Sequence, residues 1–305
     1  MKNTHIIAHH TDLDGIICHA IAKRWNSEIV GHDIKYGFES EPWEKINEGD
    51  VYFCDLGYST RPSNLKMIEK IKTLKNNGQK IYFFDHHPWP KELIQDLFHI
   101  AKHNLKSSSS PLLGNFLLPN DEIVRGLGQL AFRDDHNKGN KMSNTLTDIL
   151  NSQYDTWELI NHLSTIKNIE DCIPENSYDY LREYRESINE AKKNLLSNSK
   201  VFNINGIDYV IGFSPKELFL KPGHREIKDK YPNKNTICLF DKHSNVMFRT
   251  TDEKTYNFFI KAFNSGGRDL EGGFNFDSNT DNSNFSQRIE KILNTLNNSN
   301  YYEFK

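Results

Sequence analysis

Only four cysteines occur in 305 residues (Cys18, Cys54, Cys172 and Cys238), and none forms a C-x-x-C pair. That excludes a zinc ribbon and a disulfide framework, and it fits a reducing compartment. Long hydrophobic runs are missing as well. The apolar run after Met1-Lys-Asn-Thr-His is too short for a signal peptide, and no stretch approaches membrane-spanning length. A cytoplasmic protein without a membrane partner is therefore expected. Nor is charge of one sign concentrated: 38 Lys+Arg against 41 Asp+Glu give a formal net charge of −3, with no basic tail or block. Tight binding of long duplex by phosphate neutralisation is not suggested, whereas a short anionic ligand held locally is allowed. No internal repeat is visible.

What the chain does have is a set of strand-like runs that end on hard ligands. Ile81-Tyr-Phe-Phe leads into Asp85-His86-His87-Pro88. Residues 5–9 read as a buried strand leading into His9-His10-Thr11-Asp12-Leu13-Asp14-Gly15, and Val51-Tyr-Phe-Cys54 into Asp55. A helix opens at Asp14-Gly15 with Ile16, Ile17, Ala20 and Ile21 on its inner face. Another starts near Pro62, with Leu65, Ile68, Ile71 and Leu74 on one face, and stops at Asn76-Asn77-Gly78. Alternating buried-type strands and helices predict a doubly wound parallel sheet. In such sheets ligands bind at the carboxyl ends of the strands, where these aspartates and histidines stand.

The candidate ligands are His10, Asp12 and Asp14 from the first strand end, Asp55 from the second, and His86 and His87 from the third. A further carboxylate, Asp134 or Asp135, is expected at the end of a helix over 121–133. Carboxylates with imidazoles and no thiolates suit Mn²⁺ or a similar cation better than structural zinc. The inventory is large enough for two ions sharing one aspartate, an arrangement that serves phosphoryl chemistry. A single Asp-x-Asp-Gly or His-His is ordinarily a turn, a cap or a core pair. Three strand ends carrying such groups together are not.

The second half changes texture. A long helix over about 178–197 leads to a hairpin, 201–211, on the Asn205-Gly206 turn. A strand pair over 236–250, turning near Ser244-Asn245, is followed by a helix over 253–263 and a run of glycines from Gly266 to Gly273. A smaller mixed α/β domain is expected. Tyr256, Phe258, Phe259 and Phe263 have either core spacing or a base-stacking role. Ser107–Ser110 reads as a loop before a helix, with hydroxyls or amides able to meet a phosphate.

On these residues the sequence resembles the DHH phosphoesterase superfamily, whose name matches Asp85-His86-His87. The family's first motif is matched by His10-Thr11-Asp12-Leu13-Asp14-Gly15, and its second, a strand-terminal aspartate, by Asp55. A fourth motif is placed at Asp134, with Asp155 in Tyr154-Asp155-Thr156-Trp157 as rival. The later part resembles the family's DHHA1 substrate-binding domain through Arg249 and the glycine loop of Gly266, Gly267 and Arg268. The arrangement is most similar to the nanoRNase, or short-oligoribonucleotide, branch.

The resemblance, which reaches to about residue 277, implies a catalytic metal-binding domain over 1–190 and a DHHA1-like domain over 200–277; the residues beyond, 278–305, read as a polar linker with a C-terminal amphipathic helix. It implies two Mn²⁺ ions, with Mg²⁺ or Co²⁺ as substitutes. His10 and Asp12 would hold one ion, Asp14, His86 and Asp134 the other, and Asp55 would bridge them. His9 is the rival of His10. His87 would donate to the scissile phosphate while Asp85 orients an imidazole. The implied reaction is hydrolysis of short single-stranded RNA or DNA to mononucleotides by a hydroxide held between the ions. Hydrolysis of 3′-phosphoadenosine 5′-phosphate or of a cyclic dinucleotide is the alternative within this chemistry. A scaffold that keeps the fold without catalysis is the alternative outside it, and a homodimer is left open. One departure from the family bears on substrate choice: Arg268 stands where members usually carry histidine.

Overall fold

The computed structural model describes residues 4–8, 12–34, 46, 48–58, 62–136, 138–204, 206–214, 226–240, 245–263, 266–268, 270–275 and 285–298. The chain divides into two units, Met1–Tyr184 and Arg185–Lys305.

In the first unit, β1 (Thr4–Ala8), β2 (Val30–Asp33), β3 (Asp50–Cys54), β4 (Ile81–Asp85) and β5 (Ile100–His103) form one sheet in the order β2-β1-β3-β4-β5. Every neighbouring pair is parallel. The expected doubly wound sheet is present. Side chains alternate between two cores: Ile6, Ala8, Tyr52, Cys54 and Phe84 enter one, while Ile7, Val51, Phe53, Ile81 and Phe83 enter the other. That period of two, buried on both sides, is why these strands read as unbroken apolar runs.

The first face is covered by α1 (Leu13–Trp25), α4 (Ser109–Leu117), α5 (Glu122–Asp135), α6 (Lys141–Asn151) and α7 (Thr156–Thr165). The second is covered by α2 (Pro62–Asn76) and α3 (Lys91–Leu97). The sequence reading left out β2 and β5. Both are short edge strands with partly exposed residues, so neither produces the buried apolar run that marked the central three.

The second unit contains most of α8 (Tyr178–Ser197), whose length spans the division between units. Its sheet runs β10-β11-β9-β8-β7-β6, built from β6 (Lys200–Ile204), β7 (Ile207–Ser214), β8 (Asn235–Phe240), β9 (Asn245–Arg249), β10 (Gly266–Arg268) and β11 (Glu271–Asn275). β7 and β8 are parallel; the other pairs are antiparallel. Gly206 has φ +80° in the β6–β7 turn, a conformation that favours glycine.

α9 (Glu253–Ala262) and α10 (Phe285–Asn298) pack on one face of the sheet, with Phe259, Ile292 and Leu296 buried beside Phe248 and Ile237. Tyr256, Phe258 and Phe263 pack around the same core. The C-terminal helix is thus part of this unit's core. The glycine run expected as a loop is a hairpin instead, pairing Gly266 with Gly273 and Gly267 with Gly272. A β-carbon at Gly273 would lie 3.1 Å from the Val246 carbonyl, so close strand approach accounts for that glycine.

Candidate metal centre

The carboxyl ends of β1, β3 and β4 deliver their acidic and imidazole groups to one place. Asp85 is the last residue of β4 and is fully buried. Its Oδ1 accepts from the backbone N–H groups of His86 (2.6 Å) and His87 (2.7 Å) and from the Nδ1–H of His87 (2.8 Å). Its Oδ2 accepts from the Leu56 N–H at 2.7 Å. One carboxylate therefore ties together the turns that follow β3 and β4.

Asp55 follows β3 with φ +57°, a left-handed conformation that costs a residue bearing a β-carbon about 1–2 kcal/mol. Its Oδ1 lies 3.3 Å from His86 Nε2, 3.7 Å from His87 Nδ1 and 3.4 Å from the Ser109 hydroxyl. Its Oδ2 is buried and has no hydrogen-bond partner among the described residues.

Asp14, in the first turn of α1, is buried against the N-terminus of α4. There it accepts from the N–H groups of Ser109 (2.6 Å) and Ser110 (2.9 Å), where helix dipole and free amides favour an anion. The Ser107–Ser110 amides expected to meet a phosphate are therefore engaged, in part, by Asp14. The charge of Asp12, the N-cap of α1, bears on Asp14, Asp55, His86, His87 and Asp135.

The fourth-motif carboxylate was expected at Asp134, with Asp135 and Asp155 as alternatives. Among the described residues it is Asp135 that reaches the cluster: its Oδ2 is 3.8 Å from His86 Nε2 and accepts from the Ser108 hydroxyl. Asp134, on the same turn of α5, accepts from the Thr147 hydroxyl of α6 at 3.0 Å. The rival Asp155 caps α7 by accepting from the Glu158 N–H. His9 and His10 lie outside the described residues.

Among the described residues two groups of ligand atoms result, Asp14/His86/Asp135 and Asp55/His86/His87, with atoms in each group within 4.8 Å of one another. They share His86. In the second group the Nδ1 of His87 already donates to Asp85, so this ring is oriented for hydrogen bonding rather than ligation through that atom.

The electrostatics follow from burying several carboxylates together. Burial raises Asp14 to about 6, against its serine hydrogen bonds. Burial and the charge of Asp14 raise Asp135 to about 8. Burial, with Asp12 and Asp14 nearby, pushes Asp55 well above the usual carboxylate range. Burial and the neighbouring His87 lower His86 to about 4, leaving a neutral imidazole. Burial opposes a charge on His87, but the hydrogen bond and charge of Asp85 outweigh it and raise that ring above its ordinary value.

These residues fit a divalent cation. Crowded carboxylates, a neutral imidazole and a buried carboxylate oxygen without a hydrogen-bond partner among the described residues form a donor set that a divalent cation would satisfy. Sequence reasoning missed the left-handed backbone of Asp55 and the role of Ser108 and Ser109 as partners of Asp135 and Asp14. The run of serines was visible, but its attachment to Asp14 and Asp135 depends on how α4 meets α1 and α5.

The other expected site residues lie in the second unit. Arg249, at the end of β9, has its Nε 3.7 Å from a carboxylate oxygen of Glu271, which Lys228 also meets at 3.1 Å. Gly266 and Gly267 form strand β10 with Arg268, whose side chain lies outside the described atoms.

No protein-family model matches the chain, and no curated protein matches it. Among solved structures it is similar to the DHH domain of a member of the s1p family of ribosomal proteins, with TM-score 0.67 and 15% identity over 96% of this chain and 85% of that one. It is similar to the exonuclease RecJ bound to manganese, with TM-score 0.61 and 12% identity over 96% of this chain and 90% of that one. It is also similar to a pGpG-specific phosphodiesterase from Vibrio cholerae, with TM-score 0.56 and 15% identity over 97% and 99% of the two chains. At these identities the likeness is one of architecture: the chain has the fold of DHH-domain proteins.

Proposed function

We propose that this protein is a Mn²⁺-dependent phosphodiesterase that hydrolyses short single-stranded oligonucleotides to mononucleotides, in the manner of the nanoRNase branch. The observation that carries the reading is Asp55: a buried carboxylate held in a left-handed backbone, with one oxygen unpartnered among the described residues, in a ligand group that shares His86 with a second one. Strain and burial of this kind persist where a site requires them.

Asp14, His86 and Asp135 would hold one cation, and Asp55, with Asp12 and His10, a second. The bound cations supply Lewis-acid activation of water and neutralise charge at the departing oxygen. The chain's own part is orientation. Asp85 fixes the His87 tautomer through Nδ1–H, leaving Nε2 to donate to a phosphate oxygen when the ring is charged. The Ser109 and Ser110 amides hold Asp14 in place.

The neighbours in architecture include an exonuclease and a phosphodiesterase named for a dinucleotide, which favours diesters of small nucleic acids. In this reading the second unit is a DHHA1-like substrate-binding domain that uses Arg249, Gly266, Gly267 and Arg268.

Purified protein with Mn²⁺ should convert a labelled dinucleotide and pentamer to mononucleotides, and EDTA should stop the reaction. Asp55→Asn, which keeps a side chain tolerant of left-handed backbone, should remain folded and lose about three orders of magnitude or more in rate. Hydrolysis of 3′-phosphoadenosine 5′-phosphate alone would assign a monoesterase instead. Failure to bind Mn²⁺ at all would leave a scaffold.

A further inference from the structure

We infer that Trp89, which belongs to neither ligand group, is a positioning residue that holds Asp55 in its ligating conformation through the backbone of Leu56. The inference rests on the metal-centre reading above and extends it to a residue with no direct part in binding the cation.

Asp55 is where β3 stops. Its φ of +57° is left-handed, a conformation that aspartate tolerates better than most residues with a β-carbon yet adopts at a cost, and neighbouring bonds hold it there. Three such bonds surround it. The Asp55 N–H donates to the Phe84 carbonyl at 3.1 Å, fixing the peptide before it. The Leu56 N–H donates to Asp85 Oδ2 at 2.7 Å, fixing the peptide after it. The Leu56 carbonyl accepts from the indole N–H of Trp89 at 2.6 Å, fixing the next peptide in turn.

A buried tryptophan normally finds some acceptor for its N–H, and any carbonyl would serve that need. Here the acceptor lies one residue beyond the left-handed aspartate. Trp89 is itself immobilised: it is 8% exposed and meets Phe83 (5.1 Å), Tyr58 (5.3 Å) and Phe98 (6.0 Å between ring centroids). The second hydrophobic core of the sheet is thereby coupled to the turn that carries Asp55. Rotation of that turn would carry the Asp55 carboxylate away from His86 Nε2, now 3.3 Å distant. Asp85 and Trp89 thus grip the two polar groups of Leu56, one each.

The test is an electron paramagnetic resonance titration of Mn²⁺ into metal-stripped full-length protein. Trp89→Phe keeps an aromatic ring and removes the N–H. It should weaken Mn²⁺ binding about tenfold, the low end of what losing a partner behind a metal ligand costs. Phe98→Leu, which disturbs the same aromatic cluster but not the hydrogen bond, should lower thermal stability and leave Mn²⁺ affinity unchanged. Should Trp89→Phe fail to fold, 3-benzothienylalanine at position 89 replaces N–H by sulfur at nearly constant shape and should give the same tenfold loss. Unchanged Mn²⁺ affinity in folded Trp89→Phe overturns the inference and spares the metal centre. Equal weakening by Phe98→Leu also overturns it, since general loosening of the core would then suffice. Wild-type protein that binds no Mn²⁺ overturns both.

Discussion

Asp134 and Asp135 stand side by side at the end of α5, yet consecutive residues on a helix point about 100° apart. Among the described contacts it is Asp135 that meets His86, in a helix packed against α1 and α4. The sequence shows both carboxylates plainly. It does not show the rotation of the helix about its own axis, which depends on contacts such as Gly128 against Pro111. The same holds at Asp55, where the side chain was legible but its left-handed backbone was not, because that conformation is imposed by Phe84, Asp85 and Trp89 from elsewhere. Asp135→Asn should therefore lower the hydrolysis rate by about two orders of magnitude or more. Asp134→Asn should stay within about threefold of wild type and cost stability of about 1 kcal/mol through its bond to Thr147. Steady-state rates of the two variants with a dinucleotide decide; the reverse order would restore Asp134 as the ligand.

At the scale of elements, the central strands and the ligands at their ends were readable because burial on both faces leaves an unbroken apolar run that stops at a charge. Edge strands β2 and β5 lack that signature, and the β10–β11 hairpin was hidden by glycines that ordinarily mark loops. The placement of α4 was also out of reach, although the site depends on it. Its first turn holds Asp14 through two amides, and its body packs tightly on α5: a β-carbon at Gly114 would lie 2.6 Å from Val124 Cγ1. Gly114→Ala gains about 1 kcal/mol of helix propensity and meets an overpacking cost of about 1–3 kcal/mol. The expected result is a net loss of up to about 2 kcal/mol in urea unfolding, accompanied by weaker Mn²⁺ binding as the serine amides shift from Asp14. Stabilisation, or unaltered Mn²⁺ affinity alongside clear destabilisation, would show that α4 and the cluster are not coupled.

For the whole molecule, a cluster of buried acids makes stability depend on pH and on cation together. In the metal-free protein Asp135 is raised to about 8 and Asp55 stands well above its ordinary value, so between neutral and mildly alkaline pH the folded state holds more protons than the unfolded one. Stability from such groups is complete below their unfolded values and is lost as pH climbs through the folded ones. His87, raised above its ordinary value, contributes in the same direction. His86 and His5 are lowered by burial and act oppositely, but only below about pH 6.5, where an unfolded imidazole becomes charged. Above that point the acids dominate among the shifted groups. The thermal midpoint of metal-stripped protein should therefore fall from about pH 6.5 to about pH 8.5. Cations bind the ionised form, so the rise in midpoint on adding Mn²⁺ should grow over the same interval. Scanning calorimetry at several pH values, with EDTA and with Mn²⁺, measures both quantities. A metal-free midpoint that holds level or rises, with a Mn²⁺ increment independent of pH, would mean that these carboxylates do not share a buried site.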